Sequence, residues 1–266
     1  MPGPADRHPL DDSPRLVERT WPTVGTPLVL VPVGSTEQHG PHLPLDTDTA
    51  IGTAVSERLA ERLRGAGEDA VVAPPIAYGS SGEHQDFPGT MSIGTAALEI
   101  VLVELGRSAC VWAPRLVFVN GHGGNLEALV RAVRLLRSEA RDVAWLPCAA
   151  EDGATHDAHA GRDESSLIGY LRAGSLRGDR LEPGATSPIA ELLPRLRAGG
   201  VRSVSPNGVL GDPRPASADE GRRLLDAMVD AAWRRLHGTV DADGRLTAPR
   251  NPAAGGAAHD AEHSDG

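Results

Sequence analysis

The residues best suited to chemistry in this sequence follow a short apolar run, LVLVPV at 28–33. The run has the length and β-branched composition of a buried parallel strand. Glu37, His39 and Asp48 come soon after it. Carboxylate and imidazole groups suit Zn, Mn or non-haem Fe, and ligands in open α/β proteins bind beyond the carboxyl ends of strands. The stretch therefore indicates a metal site.

The same stretch leaves a simpler alternative open. Glu37 and His39 are two residues apart, so both side chains can point the same way on extended backbone. His42 and Asp46 also lie in the stretch, and a helical pattern starts at about residue 50. A polar surface loop in which Asp48 only caps that helix would explain the acidic residues without a metal.

The elements that must position these residues alternate between strand and helix patterns. This alternation predicts an α/β fold with a largely parallel sheet covered by helices on both faces. Ser217 and Glu220 form a capping-box pattern at the start of the last helix. The predicted strands lie at 28–33, 69–73, 115–120 and 142–148, and the predicted helices at about 50–65, 95–110, 125–140, 164–173, 188–198 and 218–236.

Composition divides the chain into a body and two ends. Residues 1–13 are rich in Pro and Asp, and residues 241–266 are rich in Gly, Ala, Pro and charged side chains. Segments of that kind cannot bury a core, so we predict that both ends are flexible and that the C-terminal tail is dispensable. Residues 14–240 contain no internal repeat and no linker, which predicts a single domain.

Charge and composition argue against several classes of partner. The formal net charge is −10, the sequence has no lysine, and only 3% of the residues are aromatic, so a nucleic-acid-binding surface is not expected. The sequence has no apolar run of about eighteen residues and no signal-peptide core, which argues against a membrane partner. Cys110 and Cys148 lack zinc-ribbon spacing and are expected to be buried free thiols. We therefore expect a soluble, cytoplasmic protein.

Three further groups of polar residues follow other predicted strands. The third strand ends in the turn NGHGGN, which contains His122. This turn matches neither GxGxxG nor GxxxxGK(S/T), the common phosphate-binding patterns. We therefore interpret its glycines as allowing the backbone to approach a ligand closely. Glu83 and His84 lie in the long loop at 74–94, and His159 and Glu164 follow the fourth strand. Because parallel strands end at one edge of a sheet, we expect all of these groups at that edge, which favours a hydrolytic metal centre that includes His122.

Four motifs in this order resemble the creatininase family of metal-dependent amidohydrolases. The motifs are STEQHGPHLPLDTD, EHQDFPGT, NGHGGN and HAGRDESS. The resemblance implies a three-layer α/β/α fold, hydrolysis of a C–N amide bond and a homo-oligomer. It also implies two divalent metal ions, either Zn, Fe or both, with Mn as a further possibility.

The resemblance also implies roles for individual residues. Glu37 and His122 would hold one metal, His39 would hold the other, and Asp48 would bridge the two. Creatininase proper has a glutamate two residues after the histidine of its NGH motif, where this chain has Gly124, so that ligand cannot be transferred.

A second motif supplies the missing ligand. The resemblance implies that family members with the NGHGGN turn use the glutamate of an HAGxxETS motif as a ligand. That glutamate corresponds to Glu164 here. Ser165 stands where that motif has threonine, which is a mild departure.

Other segments resemble one branch of the family, which processes the mycofactocin precursor peptide. These segments are GSSGEHQDFPGT, DVAWLPC and AELLPRLRAGGVRSVSPNGVLGDP. The resemblance implies a modified ribosomal precursor peptide as substrate, with cleavage just before its C-terminal Val-Tyr-derived unit. His159 or Glu83 would protonate the leaving nitrogen, with His159 preferred, and we assign His84, Tyr78 and Asn125 to substrate binding.

Two other functions are compatible with the same motifs. The first is a creatininase-type enzyme that acts on a cyclic amide or a formamide. The loops at 78–92 and 200–214 are rich in Gly, Ser and Pro, and no tryptophan lies in the site loops, which favours an open site for a peptide instead. The second is a non-catalytic, metal-stabilised binding protein, but structural zinc sites usually favour cysteine over an oxygen-rich ligand set.

Overall fold

The computed structural model describes residues 12–150 and 157–249 of the chain. The strands are β1 (Leu28–Val33), β2 (Ala70–Val72), β3 (Arg115–Asn120), β4 (Val143–Pro147), β5 (Thr239–Val240) and β6 (Leu246–Thr247). The α-helices are α1 (Thr47–Gly65), α2 (Gly94–Ala109), α3 (Leu126–Ser138), α4 (Arg162–Leu171), α5 (Ile189–Gly199) and α6 (Ala218–Leu236). Short 3₁₀ helices lie at Leu16–Glu18, Trp21–Thr23, Gly82–His84, Gly123–Asn125, Gly178–Arg180 and Val201–Ser203.

The main sheet has four parallel strands in the order β2-β1-β3-β4. Leu28 pairs with Arg115 and Val33 pairs with Asn120, so β1 and β3 end at the same level. Asn120 in turn pairs with Pro147 at the end of β4. Because β1, β3 and β4 are adjacent and end together, the loops that follow them gather at one edge of the sheet.

Helices cover both faces of this sheet, because strand side chains alternate between two separate cores. Leu30 and Val117 belong to a core that includes residues of α1, α4 and α6. Val31 and Phe118 belong to the opposite core, which includes residues of α2 and α3. The predicted three-layer α/β/α fold with a parallel sheet is therefore confirmed.

Helix α1 begins at Thr47, a few residues earlier than the sequence pattern predicts. Asp48 therefore lies in the first helical turn, and the preceding Asp46 makes no side-chain capping hydrogen bond. The start of α1 packs tightly on the end of β1, since a Cβ atom at Gly34 would lie 2.5 Å from the Cα atom of Thr49. Glycine at position 34 thus allows the close approach that carries Asp48 to the sheet edge.

The C-terminal tail begins later than composition predicts. Strands β5 and β6 form an antiparallel pair, and Leu246 is fully buried against the core of α1, α4 and α6. The indole nitrogen of Trp145 donates a hydrogen bond to the carbonyl oxygen of Asp243 at 3.0 Å. One buried leucine and a short turn are enough to hold the β5–β6 segment against the domain. The average composition of the tail does not show the effect of one such residue. Residues 250–266 lie outside the described residues.

Three other predictions concern the N-terminal end, the cysteines and the membrane. Ser13 is buried and the carbonyl oxygen of Pro14 accepts a hydrogen bond from Val72, so the body begins at least one residue earlier than position 14. Cys110 and Cys148 are free thiols but only partly buried. Within residues 12–150 and 157–249, no helix is long and apolar enough to cross a membrane.

Two truncated chains can measure the contribution of the β5–β6 segment. Removing residues 241–266 deletes Leu246 from the core, and losing a buried leucine costs about 2–5 kcal/mol, so Tm should fall by at least about 5 °C. Truncation after residue 249 keeps the hairpin and should leave Tm unchanged, as the tail composition predicts. Thermal unfolding of the two chains beside the full chain measures the difference. Equal Tm values for the two truncations would show that the hairpin does not stabilise the domain.

Candidate metal centre

The strand-end loops bring seven acidic and histidine side chains to one place. Glu37 and His39 follow β1, Asp48 lies in the first turn of α1, and His122 follows β3. His84 comes from the 3₁₀ helix after β2, and His159 and Glu164 lie just before and within α4. Six of the seven are buried, and Glu164 is partly buried. Such a concentration of buried ionisable groups requires mutual pairing or a bound cation.

Asp48 lies at the centre of this cluster. Its Oδ1 atom is 3.1 Å from His39 Nε2, and its Oδ2 atom is 3.2 Å from His122 Nδ1. Donor atoms that share one ion at metal–ligand distances of about 2.0–2.2 Å lie roughly 3.0–3.5 Å apart. Both separations at Asp48 therefore have the length expected for atoms that share a cation.

Two groups of three residues that both include Asp48 could each hold a metal ion. Glu37, Asp48 and His122 form the first group, and His39, Asp48 and Glu164 form the second. In the second group, Glu164 Oε2 is 3.9 Å from His39 Nε2, the same ring nitrogen that faces Asp48. Asp48 belongs to both groups, and only a carboxylate can offer two equivalent oxygen atoms to two neighbouring ions.

Backbone carbonyl groups orient the two histidines of these groups. His39 Nδ1 lies 3.1 Å from the carbonyl oxygen of Glu37, and His122 Nε2 lies 3.1 Å from the carbonyl oxygen of Ser80. A carbonyl oxygen can only accept, so both nitrogens carry the proton. The opposite nitrogen of each ring faces Asp48. This is the arrangement in which proteins hold metal-binding histidines.

Glu37 gives an independent indication of a cation. Its side chain is fully buried, and neither carboxylate oxygen has a hydrogen bond of normal geometry within the described residues. Burial, followed by the nearby charge of Asp48, raises the pKa of Glu37 to about 7. Burial likewise raises the pKa of Glu164 to about 7, against the opposing effect of His39. Buried carboxylate oxygens that lack a hydrogen bond of normal geometry fit a site whose missing partner is a cation.

The histidines beside Asp48 respond to the same negative charge. Burial lowers the pKa of His39, but Asp48, Glu164 and Glu37 outweigh burial and raise it to about 10. For His122, Glu37 and Asp48 outweigh burial in the same way, and the pKa rises to about 10. Burial opposes ionisation of Asp48, yet His39 and His122 hold its pKa well below the ordinary value. Without a metal, two protonated imidazoles therefore balance the buried carboxylates.

His159, the predicted proton donor, lies inside the cluster. Its ring is buried, with a centroid 4.4 Å from that of His39 and 4.5 Å from that of His84. The Nε2 atom donates to the carbonyl oxygen of Gln38 at 2.9 Å, which leaves Nδ1 3.7 Å from Glu37 Oε1. Glu37, His39 and His159 form a third group with donor atoms close enough to hold an ion. Burial lowers the pKa of His159 well below its ordinary value.

Gln38 is a positioning residue that the sequence analysis does not identify. Its amide nitrogen lies 2.9 Å from His84 Nδ1 and 3.0 Å from the carbonyl oxygen of Gly208. Because an amide nitrogen only donates, His84 Nδ1 accepts and its Nε2–H faces Glu37 Oε1 at 3.3 Å. Gln38 thus connects three loops around the cluster. The only sequence signal was its place between Glu37 and His39.

Two of the predicted substrate contacts have other surroundings. Asn125 is buried, and its side-chain amide donates to the carbonyl oxygen of Gly34 at 3.0 Å and accepts from Ser80 N at 2.9 Å. It therefore ties two strand-end loops together and does not line the cavity beside the cluster. Tyr78 is 47% exposed and does not line that cavity either. The assignment of these two residues to substrate binding stays a prediction.

Two residues of the first stretch do not join the cluster. His42 Nε2 lies 2.9 Å from Ser165 Oγ, next to Glu164 in sequence, and burial lowers the pKa of His42 to about 4. Asp46 pairs with Arg172 at 2.8 Å on the surface. The alternative in which Asp48 is merely a surface helix cap is wrong, because Asp48 is buried within the cluster.

A cavity of about 810 Å³ lies against the cluster and is called the main cavity below. Its polar lining residues include Asp48, Glu83, His84, His122, His159 and Glu164. Glu83 is the most exposed of these acidic groups, and its Oε1 atom is 3.8 Å from His122 Nε2. Its apolar lining residues include Ile189, Leu193, Leu196, Val201 and Leu210. Reacting groups and apolar side chains therefore face one space of ligand size.

Three comparisons relate this arrangement to known proteins. A sequence model of the creatininase family, described as creatinine amidohydrolase, matches residues 17–236. The mycofactocin precursor peptide peptidase of Mycolicibacterium smegmatis is 56% identical over 223 residues, which cover 83% of this chain and 89% of that protein. The creatinine amidohydrolase of Pseudomonas putida is 30% identical over 250 residues, which cover 80% of this chain and 92% of that protein.

A solved structure shares the fold described above. A creatininase described as "Creatininase Mn" aligns with a TM-score of 0.66 and 28% identity, covering 82% of this chain and 95% of that chain. The family model spans most of the body and includes every residue of the buried cluster. This chain therefore belongs to the creatininase family.

Proposed function

We propose that the protein is a metal-dependent peptidase that cleaves the modified mycofactocin precursor peptide just before its C-terminal Val-Tyr-derived unit and releases that unit. The observation that carries the proposal is the buried carboxylate of Asp48, which belongs to two adjoining groups of metal-binding side chains. The substrate follows from the curated relatives, since those at 54–56% identity carry the name of this peptidase.

The donor set supports two divalent cations as cofactors. Glu37 and His122 would hold one cation, His39 and Glu164 the other, and Asp48 would bridge them. Carboxylate and imidazole ligands suit Zn, Fe and Mn, and we propose Zn or Fe with Mn as a further candidate. When bound, two such cations supply Lewis-acid chemistry, which acidifies a water molecule and polarises the amide carbonyl.

Hydrolysis adds the oxygen of water to the carbonyl carbon and a proton to the leaving nitrogen. Glu83 and His159 are the two candidates for delivering that proton. Glu83 lines the main cavity with an accessible carboxyl group, whereas the N–H group of His159 is engaged by the carbonyl oxygen of Gln38. This geometry favours Glu83 as the proton donor and His159 as a residue that shapes the cluster.

The apolar lining residues of the main cavity support a substrate with an apolar end. Ile189, Leu193 and Leu196 recur at helical spacing, so one face of α5 lines the main cavity. Ile189 and Leu193 are exposed, although large apolar side chains gain most from burial. A Val-Tyr-derived unit would cover them while its amide bond lies near Asp48.

The assembly and location of the protein belong to the same proposal. A homo-oligomer is supported by exposed apolar side chains on and just after α2, which are Ile100, Val101, Leu105, Val111 and Trp112. Burying such side chains in a contact between two copies would be favourable. We also propose a cytoplasmic location, which is supported by the two free cysteines.

The proposed function can be tested with one metal-loaded preparation. We expect incubation with the modified precursor peptide to release its C-terminal unit, detected as a new fragment by mass spectrometry. Chelator-treated protein should release none, because the cluster supplies its chemistry through cations. Creatinine and a formamide are assayed side by side. Rapid turnover of either one, with the peptide left intact, would contradict the peptidase function and leave a small-molecule amidohydrolase.

A further inference from the structure

A second cavity, of about 480 Å³, adjoins the main cavity. The two cavities share Ala158, Ile189 and Leu210 as lining residues, so these three form a ridge between them. The second cavity contains none of the residues of the metal-binding groups. Its position next to the main cavity and its largely different lining make it a distinct site.

The ridge is tied directly to the cluster. Leu210 N donates to the carbonyl oxygen of His159 at 2.8 Å, and Ala158 N donates to the carbonyl oxygen of Leu210 at 3.0 Å. Ile189, the third ridge residue, is exposed at the start of α5. A chain that crosses this ridge therefore passes beside His159 as it leaves the main cavity.

The second cavity is more polar than the apolar lining of the main cavity. Thr186 and Ser187 line it with exposed side chains, and Asp212 and Arg162 add charged groups. An ion pair between the Nη2 atom of Arg162 and Glu220 holds this guanidinium group beside the cavity. A guanidinium group carries five N–H donors, which are of the kind that bind peptide carbonyl groups.

The proposed substrate needs a second site of this kind. Only a two-residue unit lies beyond the bond that is cut, so nearly all of the peptide precedes that bond. With the unit in the main cavity, the preceding chain has to continue into a contiguous space. The second cavity is contiguous and offers hydroxyl and charged groups, which suit polar backbone.

We propose that the second cavity binds the segment of the precursor peptide that immediately precedes the cleaved bond. The inference rests on the proposed function, which supplies the peptide and the direction in which it lies. It assigns Thr186, Ser187 and Arg162 to substrate recognition outside the catalytic cluster. The ridge of Ala158, Ile189 and Leu210 would then separate the residues on either side of the reacting bond.

A bulky substitution tests the site by kinetics. Thr186→Trp fills the second cavity from an exposed position, and Ala190→Trp is the matched control at an exposed residue that lines neither cavity. We expect Thr186→Trp to raise KM for the full precursor peptide by about tenfold or more, the usual effect of losing one good contact region. For a short substrate with one residue before the cleaved bond, KM and kcat should stay within about twofold. Equal effects on the two substrates, or none, would overturn the inference.

A binding measurement tests the same site without catalysis. The probe is the fluorescently labelled precursor peptide that lacks its two C-terminal residues, and its binding to the metal-loaded protein is followed by anisotropy. We expect the full chain and Ala190→Trp to bind it, and Thr186→Trp and Ser187→Trp to bind it about tenfold more weakly or worse. Unchanged Tm values establish that the variants fold. No binding to the full chain would overturn the inference, whereas binding without any cleavage would contradict only the proposed function.

Discussion

Replacing Asp48 with alanine is expected to remove both metal ions together and to abolish hydrolysis. Asp48 lies within 3.2 Å of a nitrogen atom of both His39 and His122, and it belongs to both candidate metal groups. Two bound cations stabilise a hydrolytic transition state by several kcal/mol, so activity should fall by about a thousandfold or more. Metal analysis by mass spectrometry, together with peptide cleavage, measures both effects.

Two further variants make this prediction specific. Asp46→Ala removes a carboxylate from the same loop, but Asp46 is exposed and paired with Arg172, so both ions should be retained. Glu164→Ala removes a ligand of one group only, so the other group should keep its ion. One fully retained ion in Asp48→Ala would contradict the bridging role and leave two independent sites.

The sheet could be predicted from sequence because each strand carries its own local signal. The run at 28–33 and RLVFVN at 115–120 are apolar and β-branched, and the structure has strands at both of these ranges. A parallel sheet brings the ends of its strands together, so residues that follow different strands become neighbours. The common edge of parallel strands predicts that Glu37 and His122 lie near each other, and their side chains are 3.3 Å apart.

Orientation within the cluster could not be predicted in the same way. Asp48 reaches the cluster because α1 starts at Thr47 and packs on Gly34, which no periodic pattern shows. Asn125 follows a strand end, as His122 does, yet it bonds to backbone groups of neighbouring loops. Sequence position places a residue at an edge of the sheet, whereas its role depends on which acceptor or donor the other loops present there.

The buried cluster also explains why a family ligand is absent at one position. The resemblance to creatininase implies a glutamate at the position where this chain has Gly124. A Cβ atom at Gly124 would lie 2.2 Å from the carbonyl oxygen of Ser80 and 2.5 Å from His122 Nε2. It would also lie 2.8 Å from Glu83 Oε1, so the space beside Gly124 is filled by the loop after β2. Glu164 from α4 is the carboxylate available to the second metal group.

Gly124→Ala is therefore expected to reduce activity strongly although it adds only one methyl group. Contacts of 2.2 and 2.5 Å cannot persist, and the first is with backbone, so either the loop at Ser80 or the His122 ring has to move. Misplacing a catalytic group by about 1 Å costs on the order of a hundredfold in rate. The ion held by Glu37 and His122 should bind more weakly, which metal analysis at graded chelator concentrations measures.

Gly123 provides the matched control for this substitution. It precedes Gly124 in the same turn, its φ angle is not positive, and a Cβ atom there would meet nothing within 4 Å. Gly123→Ala should thus keep its metals, because the alanine methyl group enters open space at the edge of the main cavity. Equal losses in the two variants would indicate that the turn needs glycine for backbone freedom. A loss confined to Gly124→Ala would instead show that the absence of a side chain at this position keeps His122 in place beside Asp48.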